Sequence, residues 1–393
     1  MNILYIGYWS VNDSLSEAAI RPHLLMLSGM DGVDSITYIS IERDVFKKRT
    51  PISISKCIHI PLYSRNIPFT ILNKFFDYYS FPKRLKAIIA KHKIDLCIGA
   101  GTQAGALLYL ACKENDIPFV VSYYDPHADY MYALGVWKVY DPRYVMLHYW
   151  EKQLKKYAKA VFPVSHGYAN TLISEGINDS RVYTVPCATD LTQFIVNTDQ
   201  RLEIRRELNW PHEKVGIYVG KFGDIYFDDE AFMLFKRIKS RIPDFKLIIL
   251  SSAEQDKLRD KLAQCGFMQH EIYIAFVAHS EVPKYLNAAD VAFCLHRPHR
   301  YSYAYSPIKN GEYWACGLPV IISENIGDDS SILKDTALGV VLNNVANMSD
   351  SEMDKLNQLL SRNAREEIRK LAMKHRSTQI ARQVFAKILA TVT

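Results

Sequence analysis

Residues 306–322 read SPIKNGEYWACGLPVII, a helix opening, a short helix and a buried strand in one run. In Ser306-Pro307, the serine hydroxyl can accept from exposed N–H groups and the proline suits a first turn. Lys309 and Glu312 are three residues apart, which sets them on one helix face. Gly317 ends the helix, and Leu318 to Ile322 have the apolar character of a covered strand. The free N–H groups and positive dipole end of such a helix favour an anion. With them, a lysine can neutralise a diphosphate while a carboxylate accepts from two ribose hydroxyls. The residues alone allow a second reading, in which Glu312 completes a capping box and Lys309 is solvated.

Outward from this window, short apolar runs alternate with helical patterns. Before it, strands are predicted at 3–7, 35–39, 58–62, 96–99, 119–122, 160–165 and 182–186. A polar interval at 195–213 follows, then strands at 215–219, 246–250, 272–276, 291–295, 319–322 and 339–342. Helical patterns at 104–114, 228–240, 256–264, 282–288 and 310–315 lie between them, and 351–390 is helical and strand-free. Continuous apolar strands separated by helices indicate parallel sheets covered on both faces. The expected fold class is α/β, with two Rossmann-like doubly wound domains facing across a cleft, plus C-terminal helices. The expected domains are 1–195 and 196–375, with 376–393 a helix packing back on the first. Ligands of such sheets bind beyond the carboxyl ends of the strands.

Composition narrows the class. The chain has 393 residues, 49% apolar and 23% charged, enough for two cores and typical of a folded soluble protein. The net charge of +6 is too mild to indicate nucleic acid. No apolar run is long enough to span a membrane, and Met1 to Tyr8 lacks a signal peptide's basic region. The seven cysteines are scattered with no Cys-x-x-Cys pair, which fits reduced thiols and a cytoplasmic address. Residues 74–93 interleave aromatics with Lys74, Lys83, Arg84, Lys86, Lys91 and Lys93. This stretch suits an anionic membrane surface, and equally a solvated helix face beside core aromatics.

Four segments, in order, carry a family resemblance. Val164-Ser165-His166, Gly176 and 185–194 (VPCATDLTQF) come first, followed by Tyr218-Val219-Gly220-Lys221. Then come 281–286 (EVPKYL) with Ala288-Ala289-Asp290-Val291, and finally the 306–322 window. Together they resemble the retaining glycosyltransferases of family 4 (glycosyl transferases group 1), which have the GT-B fold. The resemblance is close over 160–345 and, before 150, lies in the fold pattern. It implies an acceptor domain followed by a donor domain, and transfer from a UDP- or GDP-sugar with retention and without a metal or cofactor. It places Glu312 on the ribose hydroxyls, Lys221 and Lys309 on the diphosphate, and the turn at 277–281, with Val277, on the base. Gly220, Ser306, Pro307 and Ile308 complete the donor-binding positions. The implied acceptor is a saccharide or lipid-linked saccharide, in surface polysaccharide assembly at the inner face of a membrane.

Two positions depart from the family pattern. Family members commonly carry a glutamate where this chain has Ala304, and a second basic residue where it has Tyr226. A catalytically silent nucleotide-binding subunit, or a nucleotide-sugar epimerase, is therefore an alternative, with Lys309 supplying the missing charge in an active enzyme. In the first half, 122–137 (SYYDPHADYMYALGVW) follows a strand and brings Asp125, His127 and Asp129 together. His127 is the candidate for contact with the transferred sugar or acceptor hydroxyl, as a histidine at a similar place is in related enzymes. The polar loop 8–17, the run 296–300 (HRPHR) and Gly327-Asp328-Asp329 are secondary candidates. A nicotinamide dehydrogenase is disfavoured, since the first strand leads to Gly7-Tyr8-Trp9-Ser10 and not to Gly-x-Gly-x-x-Gly.

Overall fold

Strand β1 (Asn2–Gly7) forms because its apolar residues are covered on both faces: Leu4 and Ile6 enter one core cluster, Ile3 and Tyr5 another. The computed structural model describes residues 1–13, 15–44, 52–65 and 70–392. The chain divides into two units, each described separately. Unit 1 is Met1–Ala188 with Tyr303–Ser306 and Thr378–Thr393, and unit 2 is Thr189–Ser302 with Pro307–Ser377.

Unit 1 contains β1, β2 (Ser35–Glu42), β3 (Cys57–Tyr63), β4 (Leu96–Ala100), β5 (Phe119–Tyr123) and β6 (Ala160–Pro163), in the order β3-β2-β1-β4-β5-β6. All pairings are parallel. Unit 2 repeats the plan with β7 (Val215–Val219), β8 (Lys246–Leu250), β9 (Ile272–Ala275), β10 (Val291–Cys294), β11 (Val320–Ser323) and β12 (Gly339–Leu342). Its order is β12-β11-β10-β7-β8-β9, again parallel throughout. Each is the doubly wound order, and the sequence reverses direction between β1 and β4 and between β7 and β10.

One predicted strand does not form. Residues 182–186 contribute a single bridge, Val182 to Val161. Tyr183 N–H donates to the Val161 carbonyl and Val185 N–H to that of Pro163. Pro163 has no N–H to return, so the ladder stops there.

The basic–aromatic stretch lies mostly in helix Thr70–Lys91. Phe81, Leu85 and Ile89, four residues apart, form its buried stripe. Phe75 and Tyr79 are exposed, and the Lys83 ammonium lies 4.6 Å from the Tyr79 ring centre. Among the described residues, no helix is long and apolar enough to cross a membrane. The C-terminal region is helical, as predicted: Asp350–Ser361 and Arg365–His375 belong to unit 2, and Thr378–Ala390 to unit 1.

Candidate functional site

In unit 2 the carboxyl ends of β7 and β10 adjoin at the reversal point. Gly220 follows β7 with a φ of +128°, a conformation that L side chains rarely adopt. A Cβ added there would lie 2.8 Å from Lys309 Nζ, so the lysine depends on the missing side chain for its position. The loop beyond β7 is tied to the end of β10: Phe227 N–H donates to Leu295 O, and Arg297 N–H to Ile225 O. Tyr226, where a basic residue was expected, packs its ring 4.6 Å from that of His296.

Helix Ile308–Ala315 carries Lys309 and Glu312. Pro307 is its N-cap, a residue whose side chain cannot accept from the first-turn N–H groups. The Ser306 hydroxyl accepts from the Cys187 N–H at 3.2 Å, within unit 1. At its other end Gly317 adopts φ +72°, where its N–H donates to Trp314 O and closes the helix. The Lys309 ammonium sits 4.3 Å from the Tyr226 ring centre and 5.7 Å from that of Tyr218. Among the described residues no carboxylate pairs with it.

Glu312 is buried, and its Oε1 lies 2.7 Å from His279 Nε2. This pairing replaces the capping-box alternative. His279 opens the turn His279–Glu281 that follows β9, and its ring lies 5.4 Å from that of the buried Phe194. The structure therefore brings Gly220, Lys309 and Glu312 together and adds His279. Lys221 is exposed at the end of β7, and Val277 is partly buried on the turn leading to His279.

Burial, reinforced by the Lys309 charge, keeps the His296 imidazole well below the usual histidine range. Its Nδ1 is 3.3 Å from the thiol of Cys294, which burial pushes up to about 12. Asp329 is a structural anchor: it pairs with the buried Arg376 and accepts from Asn310 Nδ2 at 2.7 Å. Arg297 turns outward to Glu230 at 3.0 Å.

In unit 1, His127 opens helix His127–Ala133, and its Nδ1 lies 3.3 Å from Asp125 Oδ1. Burial works to lower its pKa, but the Asp125 carboxylate more than offsets this and the net direction is upward. Asp129 is engaged elsewhere, accepting from the Tyr144 hydroxyl at 2.9 Å. Sequence reading missed Glu151, which is buried and accepts the Ala128 N–H at 3.2 Å. Burial pushes its carboxyl up to about 7. The 8–17 loop is held by Glu42, which accepts from Ser10 Oγ at 2.7 Å and Val11 N–H at 2.9 Å. Ser14 of that loop lies outside the described residues. Among the described residues, no three His, Cys, Asp or Glu side chains are placed to hold a metal ion.

Comparisons with known proteins agree with this architecture. The family profile described as Glycosyltransferase Family 4 matches residues 46–193, and that described as Glycosyl transferases group 1 matches 200–376. Sucrose-phosphate synthase from Thermosynechococcus elongatus superposes with a TM-score of 0.76 at 16% identity, covering 100% of this chain and 99% of that one. A glycosyltransferase from Rickettsia africae gives 0.68 at 14%, covering 100% and 98%. Anabaena HepE, in complex with UDP-glucose, gives 0.71 at 12%, covering 100% of both chains. No curated protein sequence matches the chain. Two family profiles covering successive halves, and two doubly wound sheets in their order, lead to one assignment: the chain belongs to the GT-B glycosyltransferases of family 4 and group 1.

Proposed function

We propose that this glycosyltransferase moves a sugar, with retention, from a UDP- or GDP-sugar held by unit 2 to a saccharide or lipid-linked saccharide acceptor. Its setting is surface polysaccharide or glycan assembly at the inner face of a membrane. The observation that carries the reading is Lys309, an ammonium without a carboxylate partner among the described residues. It lies against Gly220 at the sheet's reversal point, one turn before the buried Glu312. Glycosyl transfer leaves negative charge on the departing diphosphate, and a prepositioned cation lowers that cost most in the transition state. Lys309, the positive end of helix Ile308–Ala315 and the exposed Lys221 supply this charge. Glu312 Oε1 is engaged by His279, which fixes the carboxylate for the ribose hydroxyls. His127, raised in pKa by Asp125, is assigned to the transferred sugar or the acceptor hydroxyl. No resident metal or cofactor is required in this scheme.

Binding of UDP, GDP, ADP and CMP, read as a rise in unfolding temperature, tests the donor assignment. One nucleotide should stabilise the protein by about 2.7 kcal/mol at a hundredfold excess over its Kd. The effect should disappear in Glu312→Ala and weaken in Lys309→Ala. A response to none of the four would remove the basis of the proposal.

Ala304 favours a second reading. Family members commonly carry a glutamate at this position, but here it is a fully buried alanine within a core cluster of unit 1. A silent nucleotide-binding subunit would show the same nucleotide response but neither hydrolyse the donor nor glycosylate any acceptor. Membrane contact is assigned to helix Thr70–Lys91 through Phe75, Tyr79 and Lys83. Sedimentation with phosphatidylglycerol vesicles should be lost in Phe75→Ser/Tyr79→Ser, while neutral vesicles should bind neither protein.

A further inference from the structure

The amino ends of the unit 2 strands border two adjoining cavities, of about 420 Å³ and 610 Å³. Lys214, Asp290 and Pro319 immediately precede β7, β10 and β11, and Gly339 begins β12. Leu359 and Arg362 line both cavities. The donor positions lie at the carboxyl ends of the same strands, roughly 15 Å away along five residues. These cavities are therefore separate from the site described above.

Their charge is unbalanced. Arg201, Lys214, Lys334, Lys355, Arg362 and Arg365 line them, against the carboxylates of Asp290 and Glu352. Both acids are already committed. Asp290 accepts from Arg201 and Arg205 at 2.6 Å each and from Val215 N–H at 2.9 Å. Glu352 accepts from Asn343 N–H at 3.1 Å and from the Ser349 N–H and hydroxyl at 2.7 Å each. Lys334 and Arg362 have partners outside the cavities, Glu324 and Glu367. Lys214, Lys355 and Arg365 have no salt-bridging carboxylate among the described residues.

Arg365 is the most informative of these. Its guanidinium is partly buried and, among the described residues, its hydrogen bonds go to neutral carbonyls, those of Cys316, Asn287 and Ala289. Burial, with Arg201 close by, pushes its pKa down to about 10. A desolvated cation without a full counter-charge is costly, and a bound anion relieves that cost. Helix Arg365–His375 also opens on this wall, with Ala364 as N-cap and no cap from its side chain. Its first-turn N–H groups face the space, although Glu366 and Glu367 offset part of the positive end.

We propose that these adjoining cavities form a second anion site of the chain, taking a small phosphorylated ligand at the amino ends of β7, β10 and β11. Arginine and helix N–H groups suit phosphate oxygens, and the volume accommodates a molecule larger than phosphate alone.

The test is calorimetric titration of inorganic phosphate and of pyrophosphate, at ionic strength matched with chloride. It uses the wild-type protein, Lys309→Ala, Arg362→Glu and Lys355→Glu. Arg362 and Lys355 are exposed, so their reversal should leave the fold intact, checked by unfolding temperature. Binding should persist in Lys309→Ala and weaken roughly tenfold or more in each charge reversal. The nucleotide response should be unchanged in Arg362→Glu, which separates failure here from failure of the donor assignment. Absence of binding to the wild type, binding lost only in Lys309→Ala, or binding indifferent to both reversals would each overturn the proposal.

Discussion

At the scale of single residues, the informative groups are those whose partners are distant in sequence. Glu151 accepts from Ala128 N–H inside unit 1, and burial raises its carboxyl from 4.5 to about 7. A raised folded-state value means that the protonated form is favoured by folding. Its contribution is complete below pH 4.5 and is lost as pH rises through about 7. Glu151→Gln keeps an acceptor for Ala128 and removes the charge. We expect it to match the wild type in urea unfolding at pH 4.5 and to be more stable at pH 8, by on the order of 1–3 kcal/mol. Equal stability at pH 8 would show that Glu151 is not held in this way. Lys309 and Glu312 were legible in the sequence because a helix opening, a lysine and a carboxylate at helical spacing leave a local signature. His279 and Glu151 leave none. His279 lies in the turn at 277–281 that the resemblance puts on the base, but its pairing with Glu312 spans 33 residues and has no local signal.

At the scale of elements, the strands were the most legible part of the chain, since apolar runs covered on both faces differ sharply from the intervening turns. The exception, 182–186, has the right composition but lies beside Pro163, whose missing N–H is invisible until the partner strand is known. Helix Ile308–Ala315 was read correctly as an element, whereas the bond from Cys187 N–H to the Ser306 hydroxyl, far apart in sequence, had no local signal. What holds that helix was not legible either. Asn310 bonds Asp329, which pairs with Arg376, and all three side chains are buried. Arg376→Ala leaves the Asp329 charge buried and unpaired. We expect a loss of about 3–5 kcal/mol of stability, read by chemical denaturation, with a weaker nucleotide response at temperatures where the protein remains folded. Arg376→Ala/Asp329→Ala should recover part of the loss, whereas a purely additive double variant would show that the two side chains act independently.

At the scale of the whole molecule, the two sheets have the same doubly wound strand order, reversing between β1 and β4 in one and between β7 and β10 in the other. The assignment of segments to units follows contacts that no local pattern announces. Helix Thr378–Ala390 contributes Ala381, Phe385, Ile388 and Leu389 to a core cluster of unit 1. The Phe385 ring lies 5.2 Å from that of Phe162 and 6.2 Å from that of His23. Phe385→Ala should therefore destabilise unit 1 by about 3–5 kcal/mol while leaving nucleotide affinity intact in the folded protein. Parallel loss of nucleotide binding below the unfolding transition would contradict this. The same helix bears on how the protein is made. A ribosome releases residues in order, so the first sheet emerges early but waits for residues 378–390 before its apolar face is covered. Until that helix has emerged, the face is open to solvent and to chaperones, and a chain stopped short of residue 378 would leave it open permanently.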